Sequence, residues 1–266
     1  MERNLKQDMN IVFWVGVKSH NPSVTDKHGN FEYFEYSKST WKYWCAKNNV
    51  KFIEYDKTSY DTNKHKVTWT RWFELETLLQ DLDWTRVAVI DASYMIKWNA
   101  PNFFNLCNDK LNVFQSLENL RWIQSGIDGY KTLFPDVEFD IKRYIDCGFQ
   151  IFSKSHLSFL SDLKKYYEDN YDTICQLEKD VKKGTDQPVY NYMLQKNKID
   201  FEFSLDPSFN INHMTRFGWF GHNWQLNDTT PYFIKYGNIW KFSGFDRKMR
   251  NQLMSQTWNM IKENYV

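Results

Sequence analysis

Asp91 closes the apolar run in "RVAVIDAS", and a carboxylate at the end of a buried strand stands where an open α/β sheet does its chemistry. A second acid two residues on would let the pair share a divalent cation. Ser93 occupies that position, and a hard-cation site with one carboxylate left binds metal poorly. A histidine from elsewhere, His213 or His222, would have to complete such a site. The pair Asp186 and Gln187 in "TDQPVYNYML" offers a second acid. At a helix start, with Pro188 close behind, its plain structural role is a cap that accepts backbone N–H bonds. Asp146 in "RYIDCGFQIF" is a third acid, and its plain role would be an ion pair with Lys142 or Arg143.

These acids need elements to hold them. "NIVFWVGV" over 10–17 is a continuous apolar run that predicts a buried parallel strand and then a loop. Helical spacing over 37–49 and a strand over 50–56 follow. Residues 69–82 predict an amphipathic helix with Trp72, Leu75, Leu78, Leu79 and Leu82 on one face, feeding the strand that ends at Asp91. Strand, helix, strand, helix, strand means α/β with a mainly parallel, Rossmann-like sheet. Beyond it the pattern predicts a strand over 143–155, helices from 156 and from 186, and an aromatic loop over 217–233. A final helix over 245–265 has Met249, Leu253, Trp258 and Ile261 on its apolar side. One domain is expected over 1–266, since no linker, repeat or low-complexity tract interrupts the chain.

Composition narrows the function classes. With 34 Lys and Arg against 33 Asp and Glu, no net positive field favours nucleic acid. The four cysteines form no CxxC pair, which predicts reduced thiols and a cytoplasmic setting. The charged N-terminus is unlike a signal peptide and no apolar run would span a bilayer, so a soluble protein is expected. No glycine-rich phosphate loop is present, which argues against a dinucleotide-binding domain or P-loop nucleotidase. Aromatic residues make up 18% of the chain, more than one core needs, and suit stacking on sugars, bases or a partner. The Lys and Asn usage fits an AT-rich bacterial or viral genome.

Five blocks in order resemble one group. The chain is similar to GT-A-fold glycosyltransferases, nearest to the retaining, glycogenin-like and lipopolysaccharide galactosyltransferase-like enzymes. Arg71 matches their helix arginine and Asp91 the first acid of Asp-x-Asp. In "YIDCGFQIF", Asp146 stands at the asparagine of a block resembling "FNAGV" and Gly148 at its glycine. Asp186, Gln187 and Asn191 match "DQxxxN", and "LDPSFNINH" resembles "LPxxWN". "KFSGFDRKM" resembles the closing "HFxGxxKPW", with Lys241, Gly244 and Arg247 at matching positions.

The resemblance implies a nucleotide-sugar donor, with UDP-sugar first, a glycan, protein or modified-base acceptor, and a nucleotide-binding half over about 1–100 followed by an acceptor- and sugar-binding half over about 101–266. It implies donor contacts from Val15, Gly16, Tyr55, Asp56, Arg71, Asp91, Ser93, Lys241, Gly244 and Arg247, and reacting-sugar contacts from Asp186, Gln187 and Asp146. Trp219, His222 and Trp224 in "RFGWFGHNW" would serve the acceptor, or pack under the C-terminal helix. Two of the family's three metal ligands are replaced, by Ser93 and Lys241. That predicts metal-independent transfer without Mn2+, with Lys241, Arg247 and Arg71 neutralising the leaving diphosphate and Asp91 binding donor hydroxyls or pairing with Lys241. Two rivals stand beside it: an inactive module that binds glycan or sugar nucleotide, and a haloacid-dehalogenase-like phosphohydrolase, which wants an acid where Ser93 stands.

Overall fold

The computed structural model describes residues 9–19, 29–220 and 230–266. A six-stranded sheet in the order β2-β1-β3-β6-β5-β7 forms the centre. Its strands are β1 (Asn10–Val15), β2 (Lys51–Tyr55), β3 (Arg86–Asp91), β5 (Leu111–Gln115), β6 (Ile145–Ser153) and β7 (Phe201–Glu202). Only β6 runs against the rest. A two-stranded antiparallel sheet pairs β4 (Tyr94–Ile96) with β8 (Ile239–Lys241).

The helices are α1 (Tyr33–Lys47), α2 (Val67–Leu79), α3 (Leu120–Tyr130), α4 (Leu157–Asp169), α5 (Tyr171–Val181), α6 (Gln187–Lys196), α7 (His213–Phe220), α8 (Tyr232–Tyr236) and α9 (Arg247–Ile261). They cover both faces of the large sheet. Alternate residues of β1 divide between two apolar clusters, Ile11, Phe13 and Val15 packing with α2 to α6, and Val12 and Trp14 packing with α1, β4, β8 and α9. A strand buried on both faces carries no polar alternation, which is why its sequence is one apolar run. The aromatic surplus lies mostly in these clusters: Trp14, Trp41, Trp44, Trp69, Trp72 and Trp240 are almost fully buried. Their ring N–H groups are satisfied internally, as where Trp44 donates to the Ala100 carbonyl at 2.9 Å.

The register aligns the site. Val15 sits beside both Tyr55 and Asp91, so β2, β1 and β3 end together. The chain then turns at Gly16, whose N–H donates to the Tyr55 carbonyl at 2.9 Å. A Cβ on Gly16 would fall 2.0 Å from the Trp14 ring, so the turn requires glycine.

Several expectations need correction. The first helix starts at Tyr33, four residues before the first predicted position. Leu78 is 46% exposed and Met249 42% exposed, so neither belongs to the apolar face assigned to it, and Leu82 lies beyond the end of α2. The predicted aromatic loop is helical at both ends: α7 runs to Phe220 and α8 begins at Tyr232. Residues 221–229, with His222 and Trp224, lie outside the described residues. The short strands β4, β5, β7 and β8 and the helices α3 and α5 were not marked by the sequence pattern.

Candidate functional site

Beneath the ends of β1 and β3, five of the predicted residues make three ion pairs in two groups, one centred on Arg71 and one a single pair. Arg71 projects from α2, 2% exposed, and its guanidinium packs over the Trp72 ring at 4.3 Å. One nitrogen donates to Asp91. The other donates to Asp186 at 2.9 Å and to the Cys147 carbonyl at 3.1 Å. Asp186 also accepts from the Trp72 indole at 2.8 Å and the Thr185 hydroxyl at 3.1 Å. Its carboxylate therefore turns into the core and makes no capping bond to α6, contrary to expectation, because Arg71 and Trp72 satisfy it better than a partly solvated helix end would.

The single pair joins β8 to β6. Lys241 donates to Asp146, which also accepts from the Gly148 N–H at 2.8 Å and the Asn210 side chain at 3.4 Å. Neither Lys142 nor Arg143 is its partner, and Lys241 takes Asp146 in preference to Asp91. Lys241 and Ser93 are nonetheless neighbours through the backbone: Tyr94 pairs with Lys241, and the Phe242 N–H donates to the Ser93 carbonyl at 2.8 Å. Gly148 is a packing glycine, since a Cβ there would lie 2.7 Å from the Tyr94 hydroxyl and 3.2 Å from an Asp146 oxygen.

The electrostatics follow from this pairing. Burial pushes Asp91 up, Arg71 pulls it back, and the acids Asp186 and Asp146 leave it above the usual carboxylate range. Burial also raises Asp146, but Lys241 outweighs that and holds it below the usual range. Burial alone would depress Lys241 and Arg71; the carboxylates facing each keep both raised.

Above this floor lies a cleft open to solvent. Val15, Arg71, Asp91, Ser93 and Arg247 are predicted residues that line it. Its lining mixes apolar and aromatic side chains, Val15, Val17, Phe31, Tyr33 and Phe34, with polar ones, Lys66, Thr68, Arg71, Asp91, Ser93 and Thr185. Ser243, Arg247 and Arg250 complete the lining. Gly16, Asp56, Asp146, Asp186, Gln187, Lys241 and Gly244 do not line it, and Trp219, 53% exposed on α7, lies outside it. Gly244 has φ +85° with open space around its missing Cβ.

Sequence reasoning missed Arg250, Lys66, Thr68, Thr185 and the aromatic wall. Helical spacing could have found two of them, because Arg250 follows Arg247 by three residues on α9 and Thr68 precedes Arg71 by three on α2. Lys66 is held by Glu178 at 2.6 Å.

The described residues do not fit a divalent cation. Asp91 is engaged by Arg71, Ser93 is no anion, and among the described residues no three His, Cys, Asp or Glu side chains converge to hold one. His213 packs its ring on Phe245 at 4.8 Å.

No protein-family model matches the sequence, and no curated protein matches it. Solved structures do. A glycosyltransferase involved in the glycosylation of the major capsid of PBCV-1 superposes with TM-score 0.58 at 13% identity, covering 93% of this chain and 98% of that one. The bifunctional glycosyltransferase WbbM superposes with TM-score 0.53 at 11% identity, over 100% of this chain and 52% of that one. The galactosyltransferase LgtC, solved with donor and acceptor sugar analogues, gives TM-score 0.48 at 13% identity over 96% of each chain. At such identities the likeness establishes architecture: the chain has the GT-A fold of these glycosyltransferases.

Proposed function

We propose that the protein is a glycosyltransferase that takes a nucleotide sugar, UDP-sugar first, in the cleft and passes the sugar to a glycan or other hydroxyl acceptor. The observation that carries this is the mixed chemistry of the cleft lining. Its aromatic side chains suit a base, Arg247, Arg250 and Ser243 suit a diphosphate, and Arg71, Asp91 and Thr185 suit sugar hydroxyls. Breaking the anomeric bond puts negative charge on the leaving diphosphate, and fixed cations already in place lower that barrier. Arg247 faces the cleft and would act directly; Lys241, paired with Asp146 below, would act by fixing the field of the floor. Transfer without a metal is supported by the poor fit of the described residues to a cation, and retention of configuration by the five-block resemblance.

Calorimetry with nucleotide sugars in manganese and in EDTA, followed by a donor-hydrolysis assay, tests the reading. Binding with turnover in both conditions supports it. The burial and internal pairing of Asp146 and Asp186 favour a second reading, an inactive module, which binding without hydrolysis or transfer would establish.

A further inference from the structure

The part of the cleft wall around Phe31 is assembled from two segments far apart in sequence. One is the stretch around Asn30 that leads into α1; the other is the first turns of α9. The Arg247 guanidinium lies over the Phe31 ring at 4.0 Å and donates to the Gly29 carbonyl at 3.1 Å. Arg247 is 9% exposed, and its Nε has no partner among the described residues. Gly29 takes φ +103°, and a Cβ there would fall 3.0 Å from the Lys248 backbone nitrogen, so the segment lies flush on the helix start.

Asn251 locks the two together. Its carbonyl oxygen accepts from the Tyr33 N–H at 2.9 Å, and its amide donates to the Asn30 carbonyl at 3.0 Å and side chain at 2.7 Å. Beside it, Arg250 donates to the Tyr33 hydroxyl at 3.0 Å. The Phe31 and Arg247 stack thus faces the cleft with its geometry fixed from behind. A flat aromatic and guanidinium surface, next to Val15 and Val17, offers a π-face that any base can stack on.

We propose that the Phe31 ring is the platform for the donor's nucleobase, backed by the Arg247 guanidinium that serves the phosphates, and that Asn251 is a positioning residue that holds the ring in place. The proposal rests on the transferase reading above and names the residues that set affinity for the base.

The test is calorimetry of the full chain with UDP, GDP and CDP and with inorganic pyrophosphate, which reads the phosphate end alone. Phe31→Leu is expected to weaken the best-bound nucleoside diphosphate about 10-fold while pyrophosphate competition stays as in the parent. Phe31→Trp restores the loss. Asn251→Ala shows the same selective weakening with an unchanged thermal midpoint. Unchanged nucleotide affinity in Phe31→Leu, or equal losses for nucleotide and pyrophosphate, would overturn the platform. A parent protein that binds none of the three nucleotides overturns the transferase reading, and the platform with it.

Discussion

Arg71 and Asp186, 115 positions apart, meet at 2.9 Å, with their side chains 3% and 5% exposed. The same guanidinium also holds Asp91, so one cation ties the end of β3 to the start of α6. Removing one partner of such a pair strands the other in low dielectric. Arg71→Met is expected to cost about 3–5 kcal/mol of stability, read by urea denaturation. Arg71→Lys recovers only part, because one ammonium cannot reproduce a fork that reaches three acceptors. A loss below about 1 kcal/mol would mean the network is less desolvated than its burial indicates.

The pair of Lys241 and Asp146 gives a double-mutant cycle. Lys241→Met alone is expected to destabilise by about 3–5 kcal/mol, and adding Asp146→Asn should return a large share. Losses that simply add would contradict direct pairing. The pH window follows from the signs: Asp146 is depressed, so its contribution is present above its ordinary pKa near 3.8 and lost as pH falls through the lower folded value. Lys241 is raised, so its share is present below 10.5 and lost as pH rises through the higher folded value.

His156 supplies a milder acid sensitivity. Burial lowers its pKa below 6.5, and its Nδ1 accepts from the Ser153 N–H at 3.1 Å. A depressed histidine stabilises the fold while neutral, so stability is expected to fall as pH drops through 6.5 toward the folded value. His156→Gln should flatten this part of the stability profile measured between about pH 5 and 8. An identical slope in the variant assigns the effect to other groups.

If fixed cations serve the leaving group as proposed, turnover of a nucleotide sugar is expected to survive EDTA and to gain less than about twofold from manganese. Arg247→Ala, which deletes a cation facing the cleft, should reduce donor kcat/KM about 10- to 100-fold, the scale of a charged hydrogen bond. Activity abolished by EDTA and restored by manganese would sink the metal-independent reading.

Much of the fold was legible because β1 and β3 are apolar runs buried on both faces, and their joint end placed Asp91 without a structure. The shorter strands were not, since three residues such as those of β4 and β8 carry no period of their own and exist by pairing with each other. At the site, the residue types pointed to Arg71, Asp91, Asp146, Asp186 and Lys241, yet not to who pairs with whom. Asp186 showed a capping pattern locally, and only the tertiary approach of Arg71 and Trp72 turned it inward. Lys241 was offered Asp91 as a partner, and nothing local named Asp146, which is 95 residues away.

The lock between Asn251 and the Tyr33 backbone spans 218 positions. During synthesis the first strands can pair long before α9 exists, but the wall behind Phe31 has nothing to rest on until that helix is made. On the proposed reading, donor binding is a late acquisition of the growing chain. A ribosome-held intermediate that lacks α9 would carry the sheet and the Arg71 network while remaining blind to nucleotide.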